Sequence, residues 1–326
     1  MNMKTDKMHY DAQDLRIIEN HGVLRSDAGE SVFFARQLEH VRTKTYDVEY
    51  VGLSAMELFP QDTSVPAGAT RITWRQWDGV GMAKIIGNYA DDLPRVDVTA
   101  LEMSTPIRSV GDSYGYDVQE IRSAQFAGVA LDAKRASQAR KAVDQKFNQI
   151  AWYGDAVSGL PGFLSNVNIP VVVLPADGTG SSKLWSTKTP DQKIRDMNAT
   201  VNAVWVTTKG IHRATELWMP LAQYADISST ARSANSDTTI LDFFLANNPF
   251  ITKVVPVFEL TGAGAGGTDR MVAAENNIDN YQMNIVMPFM QHPPQPRNLY
   301  FEVPCEARTG GVTIERPLAF AFADGL

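Results

Sequence analysis

With 326 residues, 44% hydrophobic and 21% charged, the chain has the composition of a globular protein of one large domain or two smaller ones, neither disordered nor fibrous. Its 30 Lys and Arg stand against 37 Asp and Glu, a formal charge of −7, which is the wrong sign for a protein whose main task is gripping phosphates; a surface that tolerates DNA without holding it tightly is still compatible. The single cysteine, Cys305, excludes an intrachain disulfide framework and a cysteine metal cluster. Met1 to Tyr10 carries no apolar signal-like segment and no run approaches the roughly 18 apolar residues of a membrane span, so a cytoplasmic site of synthesis and no membrane partner are expected.

Residues 1–64 are charged and loosely periodic and read as an arm, with a helix candidate at Ser31–His40 and a strand candidate at Thr45–Leu53. Residues 65–112 change to strand signals. In Thr70–Trp77, Ile72 and Trp74 fall on one face and Arg71, Thr73 and Arg75 on the other, because successive strand residues alternate. Asp78-Gly79 predicts a hairpin turn in which Gly accepts a positive φ, followed by a return strand at Val80–Ile86. A further alternating run, Val96–Thr99, follows Asp91, Asp92 and Pro94. Isolated two-stranded hairpins are marginal in water, so this ribbon is expected to rest on something else.

The strongest pattern opens residues 113–188. Asp117 with Glu120 three residues later forms a capping-box-like start. Ile121, Ala124, Leu131, Ala139, Val143, Phe147 and Ile150 recur at helical spacing, no Pro interrupts Val118–Tyr153, and Gly154 is a good stop. The spacing predicts one spine helix of about 50 Å at roughly 1.5 Å per residue. Its other face carries Lys134, Arg135, Arg140, Lys141 and Asp144.

Residues 189–326 mix helices and strands. Thr189, Pro190 and Gln192 supply a cap, a proline at the first helical position and a glutamine at the third. Ile194, Met197, Val201 and Trp205 continue that helix's apolar face to about Lys209-Gly210. A short helix at Thr238–Ala246, a buried strand at Val254–Leu260, and a hairpin pairing Tyr300–Arg308 with Val312–Phe322 across Gly310-Gly311 complete the reading. The sum is α+β, without regular strand-helix alternation or internal repeat.

Chemistry is sparse. Gly262, Gly264 and Gly267 satisfy G-x-G-x-x-G after a strand, but Thr268–Asn277 is too short and polar for the helix that would hold a pyrophosphate, and no Lys-Ser/Thr completes a P-loop. A nucleotide-dependent enzyme using this loop is therefore the minor alternative. The better account of Gly262, Gly264, Gly266 and Gly267 is a mobile surface loop in which Ala at 264 and 266 is tolerated. His9, His21, His40, His212 and His292 are scattered, without metal-ligand spacing. Cys305 alternates against Glu306 and reads as a packed thiol, and Asp91-Asp92 as a solvated turn. No catalytic residue, cofactor or metal ligand is assigned, and no enzyme activity is expected.

The string AWYGDAVSGLPGFLSN, Ala151–Asn166, which contains Tyr153, Gly154, Asp155, Gly159 and Gly162, resembles the helix end and following turn of tailed-bacteriophage major capsid proteins with the Hong Kong 97 type fold. Encapsulin shells share a similar turn. The ribbon resembles the family's extension loop, Tyr116–Ala124 its helix start, and Ala307–Leu326 its closing hairpin and last strand, so the resemblance runs from about Pro66 to the end. It implies an N-terminal arm (1–64), an extension loop (65–112), a peripheral domain with spine helix 118–153 (113–188), and an axial domain of mixed sheet and helices (189–326) whose last strands partly return to the peripheral domain. It further implies a structural protein of the virion capsid, assembled in the host cytoplasm into hexamers and pentamers of an icosahedral shell around double-stranded DNA that is bound without sequence specificity. A separate scaffolding protein, a portal and a decoration protein are the implied partners, the arm being too short for a cleaved scaffolding segment. Intersubunit contacts are expected at Trp74, Trp77, Asp78, Gly79 and Lys84 of the extension loop. Lys84, its only lysine between Val65 and Val110, is the sole candidate for the Lys–Asn join found in some relatives. The alternative within the same fold is an encapsulin-like compartment shell.

Overall fold

The computed structural model describes residues 52–85, 95–128, 131–233, 235 and 237–326. The helix expected at 31–40, nearly all of the strand expected at 45–53, and Asp91-Asp92 lie outside the described residues. In chain order, helix α1 (Ser54–Leu58) and strand β1 (Gln61–Asp62) precede a ribbon of β2 (Arg71–Val80) and β3 (Asp97–Pro106). Then come β4 (Arg108–Asp117), α2 (Val118–Ala127), α3 (Leu131–Tyr153), β5 (Val171–Val173), α4 (Pro190–Thr207), β6 (Glu216–Met219), α5 (Leu221–Ser229), α6 (Ile240–Asn247) and β7 (Lys253–Pro256). Strands β8 (Arg270–Ala274), β9 (Tyr281–Gln291), β10 (Gln295–Arg297), β11 (Tyr300–Ile314) and β12 (Phe320–Asp324) close the chain. One sheet runs β1-β9-β11-β10, with β4 also on β11; a second runs β5-β12-β8-β6-β7; among the described residues β2 and β3 pair only with each other.

The central strands of the second sheet, β12, β8 and β6, are buried on both faces, and strand alternation divides their side chains between two cores. Trp218, Val272, Ala274, Phe320 and Phe322 point into a core shared with α1, α3 and the first sheet. Leu217, Met219, Met271, Ala273, Ala321 and Ala323 point into a core covered by α4, α5 and α6. Thr189 caps α4 as the sequence predicts: its side chain accepts from Gln192 N, and Gln192 Oε1 accepts from Thr189 N at 2.8 Å. Ile194, Met197 and Val201 are buried, but the last place on that face belongs to Val204, while Trp205 is 45% exposed.

Five expected elements differ. The spine helix is two helices: Gly128 takes a left-handed conformation (φ +66°) and ends α2, whose side chains find no core, and α3 begins at Leu131. Within α3 the expected Ala139, Val143, Phe147 and Ile150 are buried. Asp117 sits at the N-cap of α2 but makes no side-chain cap bond, and Glu120 turns instead to Arg135, clasping the two helices together.

Asp78-Gly79 is not a turn. Both residues lie within β2, opposite Thr99 and Val98, and Gly79 lacks the positive φ of a tight hairpin. The partner strand is residues 97–106, and Val80–Ile86 forms no return strand where it is described.

Gly310-Gly311 is not a turn either. β11 runs through both residues, and the register slips there against β9. The glycines serve close approach: a Cβ on Gly311 (φ +72°) would lie 2.5 Å from Pro161 O, and one on Gly310 2.7 Å from the end of Ile72. Strand β12 then joins the other sheet. Finally, the buried strand expected at 254–260 stops at Pro256 and continues as a 3-10 turn, Phe258–Leu260, while the helix expected at 238–246 is shifted to 240–247 by the Thr239 cap on Asp242 N (3.1 Å).

A proline inside α3 tests the helix as the fold's support. Ala136→Pro removes a main-chain hydrogen bond and clashes with the preceding turn, at a cost of about 3 kcal/mol or more. Urea unfolding is expected to show that loss or no folded protein, whereas Lys134→Ala on the exposed side is expected to stay within about 0.5 kcal/mol.

Candidate functional site

The ribbon stands on a fixed root. Ile107 N donates to Thr70 O (3.0 Å), Thr105 Oγ1 to Gly310 O (3.3 Å) and Arg308 Nη2 to Ala69 O (3.0 Å). Ile72 and Trp74, on the alternating face read from sequence, are half-buried there. Beyond Trp74 the strands bury nothing up to Ser104, yet they carry Trp77 (67% exposed), Val80, Val98, Leu101 and Met103, with Met82, Ile85 and Val96 just past their ends. The pair Trp74↔Met103 and the exposed ion pair Arg75–Glu102 (3.2 Å) hold register rather than supply much stability. Burying each large apolar side chain is worth roughly 1.5–3 kcal/mol, and the ribbon leaves these exposed. Trp74, Trp77, Asp78 and Gly79 therefore share one strand, and Lys84 lies past its end in coil.

The second group of expected residues, after α3, folds into a tight reversal. Gly154 (φ +73°) ends the helix, and Asp155 and Leu160 pair through both main-chain bonds (2.9 and 3.0 Å). The Asp155 carboxylate accepts from Ser158 Oγ (2.6 Å) and Val157 N (3.2 Å); the Ser158 bond, with the main-chain donors, holds its pKa below the usual carboxylate range. Gly159 (φ +72°) completes the turn. Gly162 then passes so close to the helix end that a Cβ would sit 2.1 Å from Gly154 N. The chain doubles back along α3, Phe163 N donating to Ala151 O and Leu164 N to Trp152 O, both at 2.8 Å, and this drives the Phe163 ring into the core. Tyr153 donates to Glu259 O (2.8 Å), and Trp152 Nε1 reaches Ser54 Oγ (2.9 Å), which itself donates to Glu259 (2.6 Å). These residues build the subunit. Glu259, which completes the arrangement, carried no local signal because its partners Ser54 and Asn148 lie far away in sequence, and nothing local in Pro161 or Gly311 showed that they touch each other.

The glycine stretch is a turn held by main-chain and carboxylate hydrogen bonds. Gly262 N donates to Asp269 Oδ1 (2.9 Å), Gly264 N to Thr268 O (2.7 Å) and Ala265 N to Asp324 Oδ2 (3.1 Å). Donors that a phosphate would need are occupied by the protein's own carboxylates, and a strand, β8, follows in place of a helix. Gly266 (φ +70°) and Gly267 (φ +77°) need their positive φ, and a Cβ on Gly264 would meet Thr268 O at 2.8 Å, so Ala at 264 and 266 is not tolerated as expected from sequence. Asp324 also takes both Arg270 bonds (2.7 and 2.9 Å). Burial alone would raise its pKa, but Arg270 and the Ala265 N–H outweigh that and hold the carboxyl low.

Cys305 is buried, with its thiol pushed up by desolvation and by Asp112, which makes it unreactive. His212 Nδ1 lies 2.6 Å from Glu275, and His292 Nε2 3.5 Å from Glu306. Among the described residues no three metal-ligating side chains converge, and no helix is long and apolar enough to cross a membrane.

A family model described as major capsid protein matches residues 81–326. Among solved structures, the chain is similar to the capsid of Myoviridae phage XM1 (17% identity, TM-score 0.77), over 91% of this chain and 99% of that one. It is also similar to the capsid of a native GTA particle (11%, TM-score 0.64, 90% and 99% covered) and to a Mycobacterium phage Adephagia structure (12%, TM-score 0.60, 89% and 95% covered). No curated protein matches it in sequence.

The Asp324 tie generates an acid-side prediction. A carboxyl whose pKa is held low in the folded state stabilises the protein above its unfolded pKa of roughly 3.9, and that contribution is lost as pH falls through the lower folded value. Asp324→Asn is expected to melt lower at neutral pH and to lose less between pH 5 and 2 than the parent protein; parallel melting curves across that range would show the tie contributes nothing.

Proposed function

The chain belongs to the major capsid protein family of tailed phages, with the Hong Kong 97 type fold, and from that membership we propose that it assembles into hexamers and pentamers of an icosahedral shell enclosing double-stranded DNA. The family is structural rather than enzymatic. The observation that carries the proposal is the ribbon: a monomer gains nothing by holding Trp77, Val80, Val98 and Leu101 in water on a paired, rooted blade. Neighbouring subunits in a shell supply the missing contact, and obligate interfaces of that kind bury on the order of 2,000–5,000 Å².

In this reading residues 1–64 act as an N-terminal arm, 65–112 as the extension loop laid on a neighbour, 113–188 as the peripheral domain, and 189–326 as the axial domain. Trp74, Trp77, Asp78, Gly79 and Lys84 meet the neighbour, while Asp117, Glu120, Tyr153, Gly154, Asp155, Gly159 and Gly162 act inside their own subunit. A separate scaffolding protein, a portal and a decoration protein complete the head, which assembles in the host cytoplasm. The match to a phage capsid over nearly its whole length favours this over an encapsulin-like compartment.

Excising the free part of the ribbon separates assembly from folding. Because the strands pair as 71–80 with 97–106 and are anchored through Ile72 and Thr105, the cut runs from Trp74 to Met103, bridged by a short Gly/Ser linker. The shortened chain is expected to keep a cooperative melting transition and to form no shells by light scattering or electron microscopy, at concentrations where the full chain assembles. Shells from the shortened chain would remove the proposal's main support.

A further inference from the structure

We propose that Arg213, held against the rings of Trp205 and Phe250, is the centre of a socket that receives a carboxylate from the ribbon of a second copy of this chain, Asp78 being the residue that enters it. The inference rests on the capsid reading above and deepens it by naming where on the neighbour the ribbon docks.

The socket is built where α4 ends. Lys209 (φ +54°) and Gly210 (φ +90°) turn the chain back, with Gly210 N donating to Trp205 O at 2.9 Å, and the turn leaves Trp205, Val206 and Ile211 exposed. Arg213 follows, half-buried. Its guanidinium carbon lies 4.4 Å from the centre of the Trp205 ring and 3.8 Å from that of Phe250, which is exposed as well. Among the described residues this guanidinium makes no hydrogen bond and meets no carboxylate. Held against two rings, it has already given up most of its freedom and keeps its N–H edge to donate, an arrangement suited to an incoming carboxylate. Tryptophan, arginine and phenylalanine grouped at a surface also have the composition of an interface centre.

What enters such a socket has to be acidic and apolar at once, and the ribbon supplies both on one face. Cross-strand partners point the same way, so Gln76, Asp78 and Val80 share a face with Leu101, Thr99 and Asp97. All six are exposed; two are acids, two are large aliphatic residues and none is a cation. The opposite face carries the pair Arg75–Glu102, which neutralises itself. Symmetry selects the partner. Ribbon against ribbon is a two-fold contact that ends in pairs, whereas rings of five or six need two unlike patches meeting head to tail. The ribbon is one such patch, and the socket, apolar with Lys209 at its rim, is its complement in charge. The socket is also continuous with the ribbon surface: the cleft beside Lys209 and Ile211 is lined by Leu318 and by Gln76 of the same chain, with Glu315 and Arg316 offsetting each other.

The test uses the purified full chain, with shell yield followed by light scattering and folding by thermal melting. Asp78→Arg and Arg213→Glu are each expected to lower the yield by about tenfold or more, the effect of reversing one member of a close interfacial charge pair. Combining them restores the attraction and is expected to bring the yield back to within about threefold of wild type. Arg122→Glu, a reversal on the exposed side of α2, is the control and should assemble normally. Folded single variants that assemble like wild type, or a folded double variant that recovers nothing, overturn the inference. A second measurement leaves Arg213 in place, so it stands even where Arg213→Glu does not fold. Assembled Asp78→Cys/Ile211→Cys protein is treated with a short bismaleimide, from which the native Cys305 is shielded by burial. Covalent dimers and longer ladders on a denaturing gel are expected, and none from either single cysteine variant. Linkage confined to single chains, which would mean that the ribbon covers its own socket, overturns the inference, as does no linkage in intact shells. The two readings fail differently: wild-type shells without rescue or ladders sink the socket alone, and wild type that forms no shells removes the capsid reading and the socket with it.

Discussion

One side chain ties the described chain together. The Phe163 ring lies 5.2–5.9 Å from six other aromatic rings, Phe59, Trp152, Trp218, Tyr281, Phe320 and Phe322. Those rings come from the segment after α1, from α3, and from β6, β9 and β12, so both sheets and the long helix converge on it. Pairs of this kind add roughly 0.5–1.5 kcal/mol each beyond the area they bury. Phe163 reaches that position because Gly154, Gly159 and Gly162 let the chain reverse within a helix diameter of where α3 ends, and a side chain at position 162 would collide with the helix terminus.

The same constraint explains why the second sheet sits where it does. Its strands face the aromatic core on one side and α4, α5 and α6 on the other, and short side chains at Ala273, Ala321 and Ala323 let those helices pack closely. One buried ion pair lies under α4, Lys188 Nζ 2.5 Å from Asp196 with both side chains fully buried, while Lys193 Nζ lies 2.5 Å from the partly exposed Asp226. Breaking the buried pair leaves an uncompensated buried charge, so it fixes one packing of the helices more than it adds net stability.

With the interior settled by these two cores, what remains for function is the outside. The ribbon carries apolar surface that the described residues of its own subunit leave exposed. No reactive group accompanies it among the described residues. The one thiol is buried, and the glycine stretch that imitates a nucleotide loop spends its donors on Asp269 and Asp324.

How far the sequence reached depended on the range of the interaction involved. The capping box at Thr189, the buried face of α3 from Ala139 to Ile150, and the family itself, carried in Ala151–Asn166, were legible because each is set within one or two helical turns of chain. The ends of helices were nearly so, with Gly128 overlooked because a single glycine inside a helical pattern does not announce whether it is tolerated or takes a left-handed φ. Strand partners were not legible. Asp78-Gly79 and Gly310-Gly311 have the composition of turns, yet one pair sits in mid-strand and the other makes room for Pro161 and Ile72, residues about 150 and 240 positions away along the chain. A glycine chosen for a turn and one chosen for a close approach are the same residue locally; only the non-local burial that sets strand register distinguishes them, and that burial exists only once the two sheets and Phe163 have come together.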